Sequence, residues 1–273
     1  MRKTFAFLLA LALLLPAFCF AEDAPEENEG TIFFLDEGEA LPEDASEITE
    51  ESEPFIPEDV EKHIIGKDDR ITVRNPRTYP YSAIAYMVIK MKCGCSITGT
   101  GFMVDKRKML TAAHCLICQK HNKWAKTIDF YFGYKKGGGQ LYKYSGTWNA
   151  YCATSFPNGY TDVNDWAFIR LEKDVGNKTG WFGRRYLNDA DLTKEYYYVA
   201  GYKDGVLKYD VGKLRVLDQD RIWVDMDVLP GNSGSPVYDS DGYAVGIWTT
   251  YWEDGSNSGI RLNRTIRDYV NSH

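Results

Sequence analysis

Beyond its first fifteen residues the sequence has no run of 18 apolar residues, the length expected of a membrane-spanning helix. It shows no internal repeat, and no lysine–arginine cluster interleaved with aromatic residues as in a nucleic-acid-binding module. We therefore predict neither a nucleic-acid partner nor a membrane-embedded body. What the 273 residues do contain is 44% hydrophobic and 14% aromatic side chains, which excludes wholesale disorder and fits one or two domains.

Basic residues are almost missing from one part of the chain. Residues 22–62 contain 17 acidic side chains and one basic side chain, Lys62, for a net charge of −16. Because the whole chain carries −7 and residues 1–21 carry +2, residues 63–273 carry +7. The acidic segment has too few core-forming residues to fold alone. We predict a pro-segment that docks on the basic body by charge complementarity, with a solvated tail as the alternative.

The first 21 residues have the pattern of a secretory signal. Arg2 and Lys3 precede an apolar run over 5–15, and Cys19-Phe20-Ala21 ends in the small residue that a cleavage site needs. The alternatives are a retained membrane anchor and a lipid-anchored Cys19. The signal predicts a secreted protein with no membrane contact after its removal.

Export permits disulfides, and the cysteine count limits them. Without Cys19, five cysteines remain, so at most two bridges form and one thiol stays free. We expect oxidation, and no metal or cofactor. The pairing stays open, and Cys93-Gly-Cys95 with Cys115-x-x-Cys118 is alternatively a four-thiolate zinc site. The five residues are Cys93, Cys95, Cys115, Cys118 and Cys152.

From residue 63 the chain alternates short Val-, Ile- and aromatic-rich runs with Gly, Asn and Asp turns, which predicts an all-β sandwich or barrel. A final helix is predicted after Asn263 as its cap, because Ile266, Tyr269 and Val270 fall on one face. The predicted strands are Ala83–Lys90, Gly101–Val104, Ile128–Phe132, Trp166–Leu171, Tyr196–Ala200, Ile222–Val228, Ser235–Tyr238 and Tyr243–Thr249.

Three polar residues stand in contexts that suit acyl-transfer chemistry. Ser233 lies between glycines, which permit a tight turn that exposes its hydroxyl and free backbone N–H groups. His114, one of four histidines, follows a short apolar strand and has a side chain that titrates near neutrality. Asp165 opens another apolar strand, where a carboxylate needs a partner. Each residue could instead have an ordinary structural role: a structural histidine, a turn or strand-end carboxylate, and a serine in a hairpin loop. However, the order His, Asp, Ser is that of one known catalytic triad.

Two motifs resemble those of the chymotrypsin-fold serine proteases: Thr-Ala-Ala-His-Cys at 111–115 and Gly-Asn-Ser-Gly-Ser-Pro at 231–236. The chain is more similar still to the bacterial glutamyl endopeptidases, whose mature start resembles Ile-Gly-Lys-Asp-Asp-Arg at 65–70. The resemblance covers about 63–270. It implies a domain over 63–273 made of two six-stranded antiparallel β-barrels (chymotrypsin-like) with the active site between them and a C-terminal helix.

The resemblance also implies roles for individual residues. Ser233 is the nucleophile, His114 the general base and acid, and Asp165 the orienting carboxylate. The backbone N–H groups of Gly231 and Ser233 form the oxyanion hole. The aligned mature start implies cleavage after Lys62, which makes His63 the new N-terminus.

The predicted substrate-binding residues are Asp227, Val228, Trp248, Thr249, Tyr251 and Gly259. Trp248 stands where glutamate-specific relatives have a histidine, and Val228 stands where they have a threonine. A buried carboxylate without partners is costly, so basic or apolar P1 residues are favoured over Glu. Asp227 occupies the position of the acid that binds Lys or Arg in trypsin-like enzymes, although glutamyl endopeptidases also carry Asp there.

The resemblance further implies that Cys115 would pair with residue 99, which is a glycine here, so that Cys93 or Cys95 would have to substitute. Taken together, the sequence predicts a secreted, monomeric serine endopeptidase that is made as a zymogen and acts on proteins or peptides. The alternative is a non-catalytic binding or adhesion module on the same fold.

Overall fold

The structure is a computed structural model that describes residues 30–35, 68, 70–118, 120–153, 162–229, 231–251 and 256–273. Its regular elements within those ranges are almost entirely strands, joined by short 3-10 turns at Tyr81–Ala83, Ala113–Leu116 and Asp162–Asn164. The strands are β1 (Gly30–Leu35), β2 (Ile71–Thr72), β3 (Ile84–Met91), β4 (Ser96–Met103), β5 (Lys108–Thr111), β6 (Ile117–Cys118), β7 (Lys123–Phe132), β8 (Tyr142–Tyr144), β9 (Trp148–Ala153), β10 (Ala167–Leu171), β11 (Gly183–Arg184), β12 (Tyr197–Lys203), β13 (Val206–Gly212), β14 (Leu214–Val216), β15 (Arg221–Val224), β16 (Pro236–Tyr238), β17 (Tyr243–Tyr251) and β18 (Asn257–Arg261). The helices are α1 (Gly176–Thr179), α2 (Asp189–Leu192) and α3 (Arg264–Ser272).

Two curled sheets make up the fold, and each has six central antiparallel strands. The first runs β9-β10-β5-β4-β3-β7, and the second runs β15-β18-β17-β16-β12-β13. Shorter strands extend both edges, and β2 belongs to the second sheet although it precedes the first in the chain. The predicted all-β, chymotrypsin-like architecture is confirmed.

Each sheet packs around a fully buried aromatic and aliphatic core. Phe102, Phe130 and Phe168 fill the first, and Tyr197 and Trp248 belong to the second. Burial of a large apolar side chain contributes about 1.5 to 3 kcal/mol, so these residues dominate the stability of their sheets. All eight predicted strand regions contain a strand in the structure, with ends displaced by a few residues.

The C-terminal helix α3 is also confirmed. The side chain of Asn263 accepts a hydrogen bond from the N–H of Ile266 at 3.0 Å, which satisfies one of the free donors of the first turn. Ile266 and Val270 are buried on one face, while Tyr269 is half-buried. None of the helices in the described residues has the length and apolar character needed to cross a membrane. The predicted signal, 1–21, lies outside the described residues.

A strand of the predicted pro-segment joins the first sheet. β1 pairs in parallel with β9, in a register that sets Gly30 opposite Trp148 and Leu35 opposite Ala153. β1 contains no charged residue. The docking of this part therefore uses backbone hydrogen bonds and the half-buried Ile32, which packs on the core, in addition to any charge attraction from the rest of 22–62.

The cysteines do not form the expected disulfides in the structure, because all five are free thiols. Cys115 lies against Gly99, where an added Cβ would come within 2.9 Å of its sulfur. Neither Cys93 nor Cys95 forms the substitute bridge with Cys115. They gather instead with Cys118 and His121, so the four-thiolate alternative is also wrong in its choice of Cys115.

Candidate active site

Sheet register brings His114 and Asp165 to the same edge of the first sheet. β5 and β10 are antiparallel, with Thr111 opposite Ala167. The chain that leaves β5 continues into the turn carrying His114, and the chain that enters β10 passes through Asp165 just before Ala167. In an antiparallel pair, a residue just after one strand and a residue just before the other lie at the same end of the ladder. The pairing thus explains why two residues 51 positions apart meet.

Asp165 holds both the backbone and the ring of His114. One carboxylate oxygen accepts the N–H of His114 at 2.8 Å, and the other lies 2.6 Å from Nδ1. Asp165 is fully buried, and the imidazole is 19% exposed. Burial is the largest single effect on the pKa of His114 and lowers it, but the charge and hydrogen bond of Asp165, together with the interactions of Cys115, raise that pKa well above 6.5 in sum. The contact leaves Nε2 as the ring nitrogen available to another partner.

The loop that carries Ser233 is attached to the first sheet although it belongs to the second. The N–H of Thr100 in β4 donates to the carbonyl of Ser233 at 2.9 Å, and Cys115, next to His114, contacts the same oxygen through its sulfur at 3.6 Å. Gly234 has φ 86°, and an added Cβ would meet the carbonyl of Thr100 at 2.1 Å. These contacts fix the half-buried Ser233 beside the turn of His114.

Two backbone N–H groups of this loop have no acceptor within the described part of the protein. Within the described part of the chain, the N–H groups of Gly231 and Ser233 donate to no protein acceptor, whereas those of Asn232, Gly234 and Ser235 are all bonded. An oxyanion hole needs backbone N–H groups that are free of protein acceptors, and these two meet that requirement.

Three residues that the sequence reasoning did not single out hold this loop in place. Thr100 donates its hydroxyl to the carbonyl of Gly231 at 3.1 Å, in addition to its backbone bond to Ser233. The Asn232 side-chain oxygen accepts the N–H of Leu229 at 2.9 Å and the buried guanidinium of Arg70 at 3.1 Å. Arg70 and Asn232 lie in the motifs at 65–70 and 231–236 that carry the family resemblance, which was the available signal for them.

Asp68 completes the contact of the N-terminal segment with this loop. Its two oxygens accept from Arg70 at 2.8 and 3.0 Å, and these hydrogen bonds lower the pKa of Asp68 to about 2. The carboxylate thus remains charged at any ordinary pH. Because it fixes Arg70, the segment around 68–70 is tied to the loop of Ser233.

The predicted substrate-binding residues lie in the strands of the second sheet or in the loops beside them. Trp248 and Val228 are buried in its core cluster, 2% and 5% exposed. Asp227 is half-buried, and its N–H donates to Asp210 at 2.6 Å. Gly259 pairs with Trp248 across β17 and β18.

The remaining predicted positions are described only in part. The buried Thr249 lies beside Thr250, with 3.2 Å between their hydroxyl oxygens. The backbone of Tyr251 pairs with Asn257, but its side chain lies outside the described residues. The predicted processing site, Lys62 and His63, also lies outside them.

Two antiparallel curled sheets, with a buried His–Asp pair of one sheet beside a glycine-flanked serine of the other, define the class of trypsin-like peptidases. The comparisons with known proteins agree. A family model described as "Trypsin-like peptidase domain" matches residues 99–247, more than half of the chain, and the protein belongs to this family.

Individual relatives support the same assignment. The chain is 30% identical over 219 residues to an extracellular metalloprotease of Bacillus subtilis (strain 168), covering 77% of this chain and 68% of that protein. A solved Glu endopeptidase superposes with a TM-score of 0.67 at 25% identity, over 77% of this chain and 98% of that one. An inactivated protease paralogue of the scabies mite shares the fold, with a TM-score of 0.54 at 18% identity over 70% of this chain and 96% of that one.

Proposed function

We propose that this peptidase is a secreted serine endopeptidase that works through His114, Asp165 and Ser233. The observation that carries the proposal is the two-point contact of the buried Asp165 with the backbone and ring of His114, beside the anchored loop of Ser233. An Asp held in this way selects the tautomer with hydrogen on Nδ1 and stabilises the imidazolium that forms during the reaction.

The proposed reaction follows from these positions. Ser233 attacks the scissile carbonyl while Nε2 of His114 takes its proton, and His114 then gives that proton to the departing amine. Water hydrolyses the acyl-enzyme in a second, equivalent step. The N–H groups of Gly231 and Ser233 receive the oxyanion, where loss of one such donor typically costs about 3 to 4 kcal/mol of transition-state stabilisation.

The name of the Bacillus subtilis relative raises a metal-dependent mechanism as an alternative. Such a mechanism needs an ion with an open coordination position at the scissile bond. Among the described residues, the one group of side chains close enough to hold an ion is Cys93, Cys95, Cys118 and His121, which contains no triad member. We therefore assign the hydrolysis to the triad.

For specificity we propose a preference for apolar or basic P1 residues over Glu. The relative solved as a Glu endopeptidase makes Glu the obvious candidate. However, the resemblance aligns Trp248 and Val228 with the histidine and threonine of glutamate-specific relatives, and in this protein both side chains are buried and Val228 is apolar. Cleavage of a peptide library randomised at P1 tests this: the Glu peptides should be cleaved most slowly, and a dominant Glu preference would contradict it.

We further propose that the enzyme is made as a zymogen over 22–273 and activated by cleavage after Lys62. In support, β1 occupies an edge of the first sheet, and Arg70, just beyond the cleavage site, bonds the loop of Ser233. Cleavage after Lys62 would therefore change the chain only a few residues from Arg70, which contacts the loop of the proposed nucleophile.

The decisive test of catalysis is labelling with a fluorophosphonate probe. The protein processed at Lys62 should be labelled, and Ser233→Ala should not, while Ser235→Ala serves as the matched control in the same loop. Ser235 is fully buried and donates its hydroxyl to the carbonyl of Asn232, so the probe does not reach it, and folded Ser235→Ala should still be labelled at Ser233. An unlabelled but folded wild-type enzyme would instead support the non-catalytic binding module, a fate of this fold that the scabies mite paralogue illustrates.

A further inference from the structure

Four side chains from two turns of the first sheet converge on one point. Cys93 and Cys95 lie in the turn between β3 and β4, whereas Cys118 is the last residue of β6 and His121 lies in the turn between β6 and β7. Their sulfur and ring-nitrogen atoms all lie within 4.8 Å of one another. We propose that these four residues bind one Zn²⁺ ion as a structural Cys3His site, which revises the sequence-based expectation of no metal.

The turn geometry explains how the first pair of ligands is presented. The hairpin of β3 and β4 closes with the N–H of Met91 bonded to the carbonyl of Cys95 at 2.8 Å. Gly94, at φ 86°, occupies the left-handed region between the two cysteines, with open space around it. This tight turn places the sulfurs of Cys93 and Cys95, which are separated by a single glycine, at the same hairpin tip.

The second pair is presented by a similar turn. Cys118 pairs with Lys123 in the β6–β7 ladder, and the N–H of His121 donates to the carbonyl of Cys118 at 3.2 Å. Asn122 follows in the left-handed region at φ 48°. The two tips are held side by side because β7 pairs with β3, and the N–H of Lys92 donates to the carbonyl of Trp124 at 2.9 Å.

The distances suit tetrahedral zinc. Bonds of about 2.3 Å to sulfur and about 2.05 Å to nitrogen, at a tetrahedral angle, separate a sulfur from the nitrogen by about 3.6 Å. Nδ1 of His121 lies 3.4 Å from the sulfur of Cys95 and 3.5 Å from that of Cys118. Three thiolates and an imidazole are also the donors that zinc prefers.

Charge and ligand number assign the ion a structural role. Three thiolates around Zn²⁺ leave one negative charge, and Lys92, Lys120 and Lys123 lie next to the ligands in the chain. Four protein ligands close the tetrahedron, so no open position remains for a substrate. Cys118 follows His114 by four residues, and the ion would therefore stabilise the turn that presents the general base.

A disulfide is the chemical competitor. Three thiols can form at most one bridge among themselves, which would leave one thiol and the imidazole without a bond. Zinc engages all four groups, with loss of a proton from each thiol on binding. The two outcomes differ in mass, in thiol content and in metal content.

The test measures metal in the full chain, purified with reductant and then exchanged into buffer containing Zn²⁺. Elemental analysis should find one zinc per chain, and Co²⁺ in its place should give the thiolate charge-transfer band of a tetrahedral site. His121→Asn should weaken Zn²⁺ binding at least tenfold, while His273→Asn, an exposed histidine elsewhere, should leave it unchanged. Cys152→Ala is the matched control for Cys93→Ser, which should also lose zinc.

Removal of the ion with a chelator should lower the thermal unfolding midpoint, and added Zn²⁺ should restore it. A bridge among Cys93, Cys95 and Cys118 in the peptide map of the oxidised protein, with no bound zinc, would overturn the proposal. So would equal Zn²⁺ affinity in His121→Asn and wild type. Because metal content is read directly, either result is independent of whether Ser233 reacts with the probe.

Discussion

At the scale of single residues, Asp165 has the largest electrostatic effect on the site. Its charge and hydrogen bond, together with the interactions of Cys115, raise the pKa of His114 well above 6.5 against the larger single effect of burial. A general base works in its neutral form, so kcat/KM should rise with pH through that raised pKa. The ascending limb of the pH profile should therefore lie above pH 6.5.

Asp165→Asn tests this effect. Without the carboxylate, burial dominates and the pKa of His114 falls, so the ascending limb should move to lower pH. The rate should also fall by about 10⁴-fold, because the wrong tautomer is no longer disfavoured. Asp174→Asn, which removes an exposed carboxylate paired with Arg107, is the control and should leave the profile in place. An ascending limb at the same pH in Asp165→Asn and in the wild type would show that Asp165 does not set the pKa of His114.

Gly234 is the second residue whose identity the structure requires. An added Cβ would lie 2.1 Å from the carbonyl of Thr100 and 2.3 Å from the hydroxyl of Thr111, at φ 86°. We expect Gly234→Ala to cost about 3 kcal/mol or more in the free energy of unfolding and to abolish activity. Gly137→Ala has a similar φ, 74°, but open space, and should cost only about 1 kcal/mol. Urea denaturation measures the free energy of unfolding of both variants, and peptide hydrolysis measures their activity. Equal losses of unfolding free energy in the two variants would contradict the expectation.

At the scale of elements, sheet register brings the site residues together, and the edge strand β1 attaches part of the proposed pro-segment to the first sheet. The antiparallel pairing of β5 with β10 sets the His–Asp contact, and the hairpin turns assemble the proposed zinc ligands. In the full chain, β1 pairs in parallel with one edge of β9. Removal of the pro-segment therefore exposes that edge of β9.

Two adjacent substitutions in β1 should distinguish its faces. Ile32 packs on the core and Thr31 is exposed, so Ile32→Asp should disrupt the docking and Thr31→Asp should not. We expect a loss of about 1 to 2 kcal/mol from the buried apolar area. Hydrogen exchange of the β9 amides should accelerate in Ile32→Asp only. Equal exchange in the two variants would mean that β1 does not protect β9.

Several elements were not predictable from pattern alone. β18 has the sequence Asn-Ser-Gly-Ile-Arg, which lacks the apolar alternation of a strand, yet all five residues are buried between β15 and β17. β6 is two residues long and exists because it pairs with β7. In both cases the neighbouring strands supply the hydrogen bonds and the burial, which a local sequence window does not contain.

At the scale of the whole molecule, activation should reverse the sign of the net charge. The full chain carries −7 and residues 63–273 carry +7. Lys62→Ala should block cleavage, so the secreted protein should keep its acidic segment and resist the fluorophosphonate probe. Lys67→Ala is the nearby control and should be processed normally. Cation-exchange retention and N-terminal sequencing report the change, and a fully active protein that begins at Glu22 would refute it.

The sequence by itself determined the all-β class, the capped terminal helix and the three triad candidates, because strand periodicity, caps and glycine-flanked turns are local signals. It also identified Cys93, Cys95 and Cys118 as possible metal ligands. Only the tertiary structure decided that His121 completes that group in place of Cys115, and that Arg70 and Thr100 hold the loop of Ser233. Apart from that of His121 with the nearby Cys118, those contacts join residues 26 to 162 positions apart, and the register of packed strands alone sets which of them meet.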